Sequence, residues 1–479
     1  MKSIVSFIFL LFFFTAQSQP GVVRDIKSFG AKGDGKTNDH EAFQKAAIFF
    51  NKRGGDGKLI ISKGTYIVGK QTFTGGQKNM PAYNGENELS FDSIKNFSIE
   101  GADGAKLKYI DSLRIGTFSP ETGEVYDHGN NAFVKRNYAA IPGLCIYIKN
   151  GKNIKINNIE IDGNNQAMIL GGIYGDKGRQ LQHYGIFIQN SRNVIVDRVN
   201  VHHFGLDGIC VSNIKSDTPD KIEITNSVFE YNSRQGFSWI GGNDLHVFNC
   251  KFNHTGRGKF SSSPAAGLDI EAESGPIRNG VFENCEFIDN VGVGMGADSG
   301  DSGDCTFNDC TFWGTTNWSL WVTKPTFTFD GCNIYGSTAH GYNSPDKKNA
   351  TKFFNCQFED KPYNGKEPYG RFLVESNNAK YMSFTNCTFV SNTKKLCWFQ
   401  SPKTYSLEER YQLNNCTFII NNTNLPTKDF IGITRGVVAK NCTFNFTKLD
   451  GKTKRYTFGD TNPATNPGSS GTVIQYLGK

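Results

Sequence analysis

The segment Gly267-Leu-Asp-Ile-Glu-Ala-Glu273 alternates apolar and acidic residues, and Gly294-Met-Gly-Ala-Asp298 follows it about one repeat later. Successive side chains of a strand face opposite sides, so Leu268 and Ile270 would point inward while Asp269, Glu271 and Glu273 point outward. Aligned on the preceding glycine, Asp298 falls level with Glu271. On stacked neighbouring strands those two would stand roughly 5 Å apart, with Asp269 about 7 Å from Glu271 along its own strand. Carboxyl groups crowded in this way do not all ionise, and one holds a proton near neutral pH. A protonated and an ionised carboxyl side by side are the requirement for glycoside hydrolysis, and Asp269, Glu271 and Asp298 are the catalytic candidates. The spacings span both the retaining and the inverting geometry.

Around them lie residues suited to holding a sugar. Trp239 and Trp321 offer rings for stacking, although aromatic residues at strand spacing also pack cores. Arg257, in Thr255-Gly-Arg-Gly258, enters a loop leading to Asp269, and His203, Arg234, Asp207 and Glu273 complete the substrate-binding candidates. A lyase would use the same surface differently. It needs a Lys, Arg or His base and a cation to neutralise a uronic carboxylate, with Glu271, Glu273 and Asp298 as the Ca²⁺ ligands. Hydrolysis needs no cofactor. A third reading is a β-helix that binds carbohydrate without turning it over.

Such residues must be held by a regular scaffold, and the rest of the chain describes one. Of 479 residues, 53 are Gly and 39 Phe against 15 Pro, and long helical apolar patterns are scarce. From residue 159 onward a short motif recurs near residues 199, 227, 250, 285, 310, 332, 356, 387, 416 and 442, mostly at intervals of 22 to 31. That period with short aromatic or β-branched strands marks a β-solenoid. In eight repeats the motif is Asn/Asp/Gly-Cys-x-Phe/Ile, as in Asn284-Cys-Glu-Phe287. Cysteines at one phase of a solenoid stack as small buried apolar groups, so most of the 12 Cys should be reduced thiols.

A second strand aligns in each coil. Its outward column reads Phe187, Cys210, Ser238, Asp269, Gly296, Trp321, with a second column Gln189, Ser212, Ile240, Glu271, Asp298, Thr323. Long intervals must leave the coil as loops, chiefly Gly171 to His183 and Asn253 to Pro264, with a further insertion from Ser112 to Ala140. Such loops wall the groove of a solenoid.

Lys2, the apolar run Ile4 to Phe14 and the small-residue exit ending at Ser18 read as a secretory signal peptide. Residues 19–479 should then form one domain, secreted or periplasmic. No later stretch is long and apolar enough to span a bilayer. The net charge of +7 is spread without a dense basic run, which argues against a nucleic-acid partner and leaves a polysaccharide or oligosaccharide as the expected one.

The entrance of the chain carries a resemblance. Phe29-Gly-Ala-Lys-Gly-Asp-Gly-Lys-Thr-Asn-Asp39, a short helix with Asn38 as cap and Glu41 as capping-box partner, and Gly64-Thr-Tyr66 together resemble the start of the pectin-lyase-like superfamily. That superfamily contains secreted polygalacturonases and pectate lyases. The resemblance implies an all-β, right-handed parallel β-helix with a short N-terminal capping helix. Asp207, before Gly208-Ile209, is similar to the catalytic Asp of the polygalacturonase Asn-Thr-Asp-Gly motif. One coil later, where those enzymes have paired aspartates, stand Arg234 and Gln235, and the Gly-His-Gly and Arg-Ile-Lys motifs are missing. The expectation is therefore a secreted glycoside hydrolase of a plant or algal polysaccharide, with a calcium-dependent lyase as the alternative.

Overall fold

The computed structural model describes residues 21–127, 135–172, 181–214, 218–337, 341–402, 404–426, 430–431, 436–452, 454–457 and 468–478. The signal-peptide reading of residues 1–18 and most of the Gly171-to-His183 loop lie outside them.

The chain winds as a right-handed parallel β-helix in which each coil lays strands onto those of the coil before. Three ladders result. The first runs through Leu89–Asp92, Ile146–Lys149, Ile186–Gln189, Asp207–Ser212, the start of Gln235–Phe248, the start of Ala266–Glu283, Met295–Ser302 and Leu320–Val322, all parallel. The second includes Ile222–Thr225, Cys305–Asn308 and Phe327–Asp330, and the third Val228–Glu230, Lys251–Asn253, Glu286–Ile288 and Thr311–Trp313.

The Asn-Cys-x-Phe motif encodes the corner between the second and third ladders. Asn249, Asn284, Asn355, Asn386, Asn415 and Asn441 all adopt positive φ between 51° and 56°. Asn tolerates this left-handed conformation better than most residues because its short side chain bonds locally. Those side chains also link coils, with Asn249 Nδ2 donating to Asn226 Oδ1 at 2.9 Å. The Cys that follows turns inward, the next residue outward, and the Phe inward again. Phe252, Phe287 and Phe312 stack at 5.5 and 4.9 Å, and Phe389, Phe418 and Phe444 at 4.5 and 4.4 Å, close to the strand spacing of about 4.8 Å. All twelve cysteines are free and buried, the eight of the corner motif as their common phase implies.

The capping helix, α1 (His40–Arg53), closes the N-terminal end with Phe43, Ala46, Ala47 and Phe50 buried. It starts one residue later than the motif suggests. Asp39 is the N-cap residue, and its carboxylate accepts from the backbone N–H groups of Lys32 and Gly33 at 2.7 and 3.0 Å, tying the glycine-rich loop to the helix. The Ser112-to-Ala140 insertion contributes Arg114–Thr117 and Ala139–Ile141 to a separate five-stranded sheet.

Candidate active site

The first outward column is realised residue for residue. Phe187 pairs with Cys210, Cys210 with Ser238, Ser238 with Asp269, Asp269 with Gly296 and Gly296 with Trp321. The second column is not. Strand pairing slips so that Glu271 faces Ser299, and Asp298 becomes the extra residue of a bulge. A bulge re-aims the side chain it carries, and Asp298 still reaches the same space as its neighbours.

That space is a cavity of about 280 Å³ lined by Asp269, Glu271 and Asp298 together with Trp318, Trp321 and Asn317. Pro264 and Val293, from loops that return to the first ladder, complete it. Glycine at position 296 keeps the centre of this floor open. A Cβ there would stand 3.5 Å from Asp269 Oδ1. Trp318 and Trp321 lie 6.4 Å apart at 41°, and Tyr369 braces Trp318 edge-on at 4.9 Å.

The three carboxyl groups differ in environment. Asp269 is 5 % exposed. Its carboxyl is held well above the usual range by burial first and by the charge of Glu271 next, against the opposing pull of Arg234. Gln235 Nε2 donates a short hydrogen bond to Asp269 Oδ2. Glu271 is partly exposed, whereas Asp298 is open to solvent. The carboxyl most inclined to keep its proton therefore sits beside two more accessible ones.

Beside the cavity, toward the preceding coils, lies a buried charge network. Arg234 has a side chain only 5 % exposed and reaches Asp207 at 3.7 Å and Glu271 at 3.9 Å. Burial opposes its charge, but Asp207, Asp269 and Glu271 outweigh that and hold its pKa above the ordinary guanidinium value. Asp207 is fully buried, and burial pushes its carboxyl up to about 7 in spite of Arg234.

Several sequence candidates stand elsewhere. Trp239 is fully buried, against Phe282 at 6.4 Å, because it occupies an inward position of its strand; it is a core residue and not a sugar platform. Arg257 is a staple. Its Nη2 donates to Asp289 Oδ1 at 2.9 Å and its Nε to the Asp289 carbonyl at 3.0 Å, with Thr315 and Thr316 taking further bonds. His203 stacks on Tyr231 at 5.3 Å, beside His202, and does not line the cavity. Glu273 is exposed and also outside the lining. The chain beyond it folds toward an earlier coil, where Ser212 Oγ donates to Ser274 Oγ at 2.9 Å. Asp207 and Arg234 act from beside the cavity.

Three contributions escaped the sequence reading. Gln235, set aside as a departure from a known motif, holds Asp269. Asn317 and Val293 carried no signal beyond their closeness to the column, since loop side chains have no period.

Comparison with known proteins agrees on the fold. A family model described as "Right handed beta helix region" matches residues 173–327, which contain every residue lining the cavity. The A-module of the mannuronan C-5 epimerase AlgE4 from Azotobacter vinelandii superposes with a TM-score of 0.50 at 14 % identity, over 91 % of this chain and 99 % of the module. The Agl-KA catalytic domain gives a TM-score of 0.41 at 14 % identity, over 96 % of this chain and 69 % of that one. Among curated proteins, the pre-neck appendage protein of Bacillus phage B103 is 24 % identical over 188 residues, 39 % of this chain and 16 % of that protein.

Proposed function

We propose that this chain is a glycoside hydrolase acting on an uncharged polysaccharide or oligosaccharide at the Asp269–Glu271–Asp298 cavity. The observation that carries the reading is the unequal environment of these carboxyl groups. Asp269, kept protonated by burial and by its acidic neighbours, is placed to give its proton to a departing glycosidic oxygen. Glu271 or Asp298 then serves as the nucleophile or as the base that activates water. Trp321 and Trp318 present rings to the apolar faces of sugar units.

Charge argues for a neutral substrate. None of the described residues lining the cavity is Lys, Arg or His. A substrate carboxylate about 5 Å from one of these acids would meet roughly 3 kcal/mol of repulsion at an effective dielectric of about 20. The same composition weakens the lyase reading, because β-elimination needs a base and a neutralised uronate. What keeps that alternative in view is the donor set itself: Asp269, Glu271 and Asp298 are oxygen ligands of the kind Ca²⁺ takes. Export, inferred from residues 1–18, would bring the enzyme to a polymer outside the cell.

The test is product chemistry. Neutral glucans, xylans and galactans and, in parallel, uronate polymers are incubated with and without a chelator. Hydrolysis of a neutral glycan yields reducing ends with no near-ultraviolet chromophore, and is indifferent to chelation. Chelator-sensitive unsaturated products from a uronate polymer would overturn the proposal.

A further inference from the structure

At the end of the third ladder, on the corner that the cavity does not use, three side chains converge. Asp162 and His202 are register partners on adjacent coils. Consecutive residues of a strand point to opposite sides, yet His203 adopts φ +58°, and this turn swings its ring back beside that of His202. The rings stand 5.0 Å apart at 86°, with their Nδ1 atoms 2.7 Å from each other. Asp162 Oδ1 lies 3.7 Å from His202 Nδ1. One ligand atom from each residue falls within 4.8 Å of the other two.

The surroundings orient the rings. His202 Nε2 is 3.2 Å from Glu160 Oε1, and that carboxylate is anchored by Lys106 Nζ at 2.8 Å. An N–H donated from Nε2 to Glu160 leaves Nδ1 with its lone pair turned toward His203 and Asp162. A carboxylate behind a histidine, fixing its tautomer, is the usual support of a metal ligand. Lys106 also takes the outer oxygen of Asp162, Oδ2, at 3.1 Å. Oδ1 accepts the backbone N–H of Asn164 at 2.9 Å and still has a second lone pair. Tyr231, stacked at 7° on His203, holds the second ring.

We propose that His202 Nδ1, His203 Nδ1 and Asp162 Oδ1 bind one divalent transition-metal ion of the zinc, cobalt or nickel kind. Two imidazoles and one carboxylate favour these ions over Ca²⁺ or Mg²⁺, which take oxygen donors. Two nitrogens about 2.1 Å from a shared tetrahedral ion stand roughly 3.4 Å apart, so the two rings, with Nδ1 atoms now 2.7 Å from each other, swing apart by about 0.7 Å to admit it. All three side chains are partly exposed, which leaves room for entry and for water in the remaining positions. The ion would tie two successive coils at a corner where the loop toward Asp207 begins.

The test uses the full, untagged chain and Zn²⁺ alone. Equilibrium dialysis should find one tightly held equivalent, and X-ray absorption at the zinc edge should report nitrogen and oxygen neighbours with two imidazoles. Asp162→Asn and His203→Gln should each weaken binding at least about tenfold while melting as the parent chain does. Glu271→Gln should leave the stoichiometry unchanged. Failure to bind an equivalent, a sulfur-rich zinc shell, or undiminished binding by both folded variants would overturn the site. Because the absorption spectrum reads the unmodified chain, the proposal stays testable even if a variant does not fold.

Discussion

Arg234 reaches Glu271 from beside the cavity, at 3.9 Å, with almost none of its own side chain in contact with water. A positive charge buried behind an acidic cluster governs how much repulsion that cluster can bear, because screening is weak there. Arg234→Met should therefore push the Asp269 carboxyl further up and move the alkaline limb of the activity profile to higher pH. Loss of the buried partner of Asp207 should also cost about 3–5 kcal/mol of stability. A pH–rate profile that does not move would detach Arg234 from the chemistry.

Replacing Asp269, Glu271 or Asp298 singly by Asn or Gln is expected to lower kcat by about 10²- to 10⁴-fold. For Asp269→Asn the loss should shrink on aryl glycosides, whose leaving groups need no protonation. Turnover that survives all three changes would make the carboxyl groups structural.

Asp207 gives a pH signature in stability. Burial raises its folded pKa to about 7, against 3.8 for an Asp in water, so the folded chain binds a proton that the unfolded chain releases between those values. Its contribution is complete below about pH 4 and declines as pH rises through 7. Comparing denaturant unfolding of the parent chain and Asp207→Asn from pH 4 to 8 isolates this slope. The variant should gain in relative stability as pH rises, and a constant difference between the two would contradict the burial argument.

The two tryptophans named from sequence should separate cleanly. Trp239→Ala should cost about 3–5 kcal/mol, as for any large core side chain removed. Trp321→Ala should raise KM or weaken oligosaccharide binding with a much smaller change in melting temperature. Equal effects on stability would place both in the core.

Arg257→Ala should loosen the loop that carries Pro264 into the cavity, at a cost of about 1–3 kcal/mol from the hydrogen bonds left unmade around Asp289. The carboxyl of Asp289 is buried, which alone would raise its pKa, but bonds from His254, Thr315, Lys366 and Arg257 hold it well below the usual range. Stability from this staple should fade only in strong acid.

The fold was legible because its signals are local and repeated. An Asn, Asp or Gly that accepts positive φ, an inward thiol and an inward Phe or Ile recur at the corners, and one alignment on the small residue before each strand recovers the column from Phe187 to Trp321. The same alternation places Trp239 inward, beside the outward Ser238, so its expected sugar contact set chemistry above periodicity. Asp298 slipped by one residue because strict alternation cannot anticipate a bulge. Arg257 looked free because its partner Asp289 lies 32 residues away, on the next coil.

Between Cys310 and Cys442 the coils offer their successors nearly the same seat: a left-handed corner and a thiol at every step, with an inward ring at all but Ile334. Any such unit can follow any other. The half bearing the acidic cavity has no such freedom, since Gln235–Phe248 and Ala266–Glu283 pass unbroken around a corner and pair through shifted registers. The molecule is thus a fixed workpiece joined to a more regular shaft, and the two meet where Tyr369 braces Trp318 and Lys366 bonds Asp289.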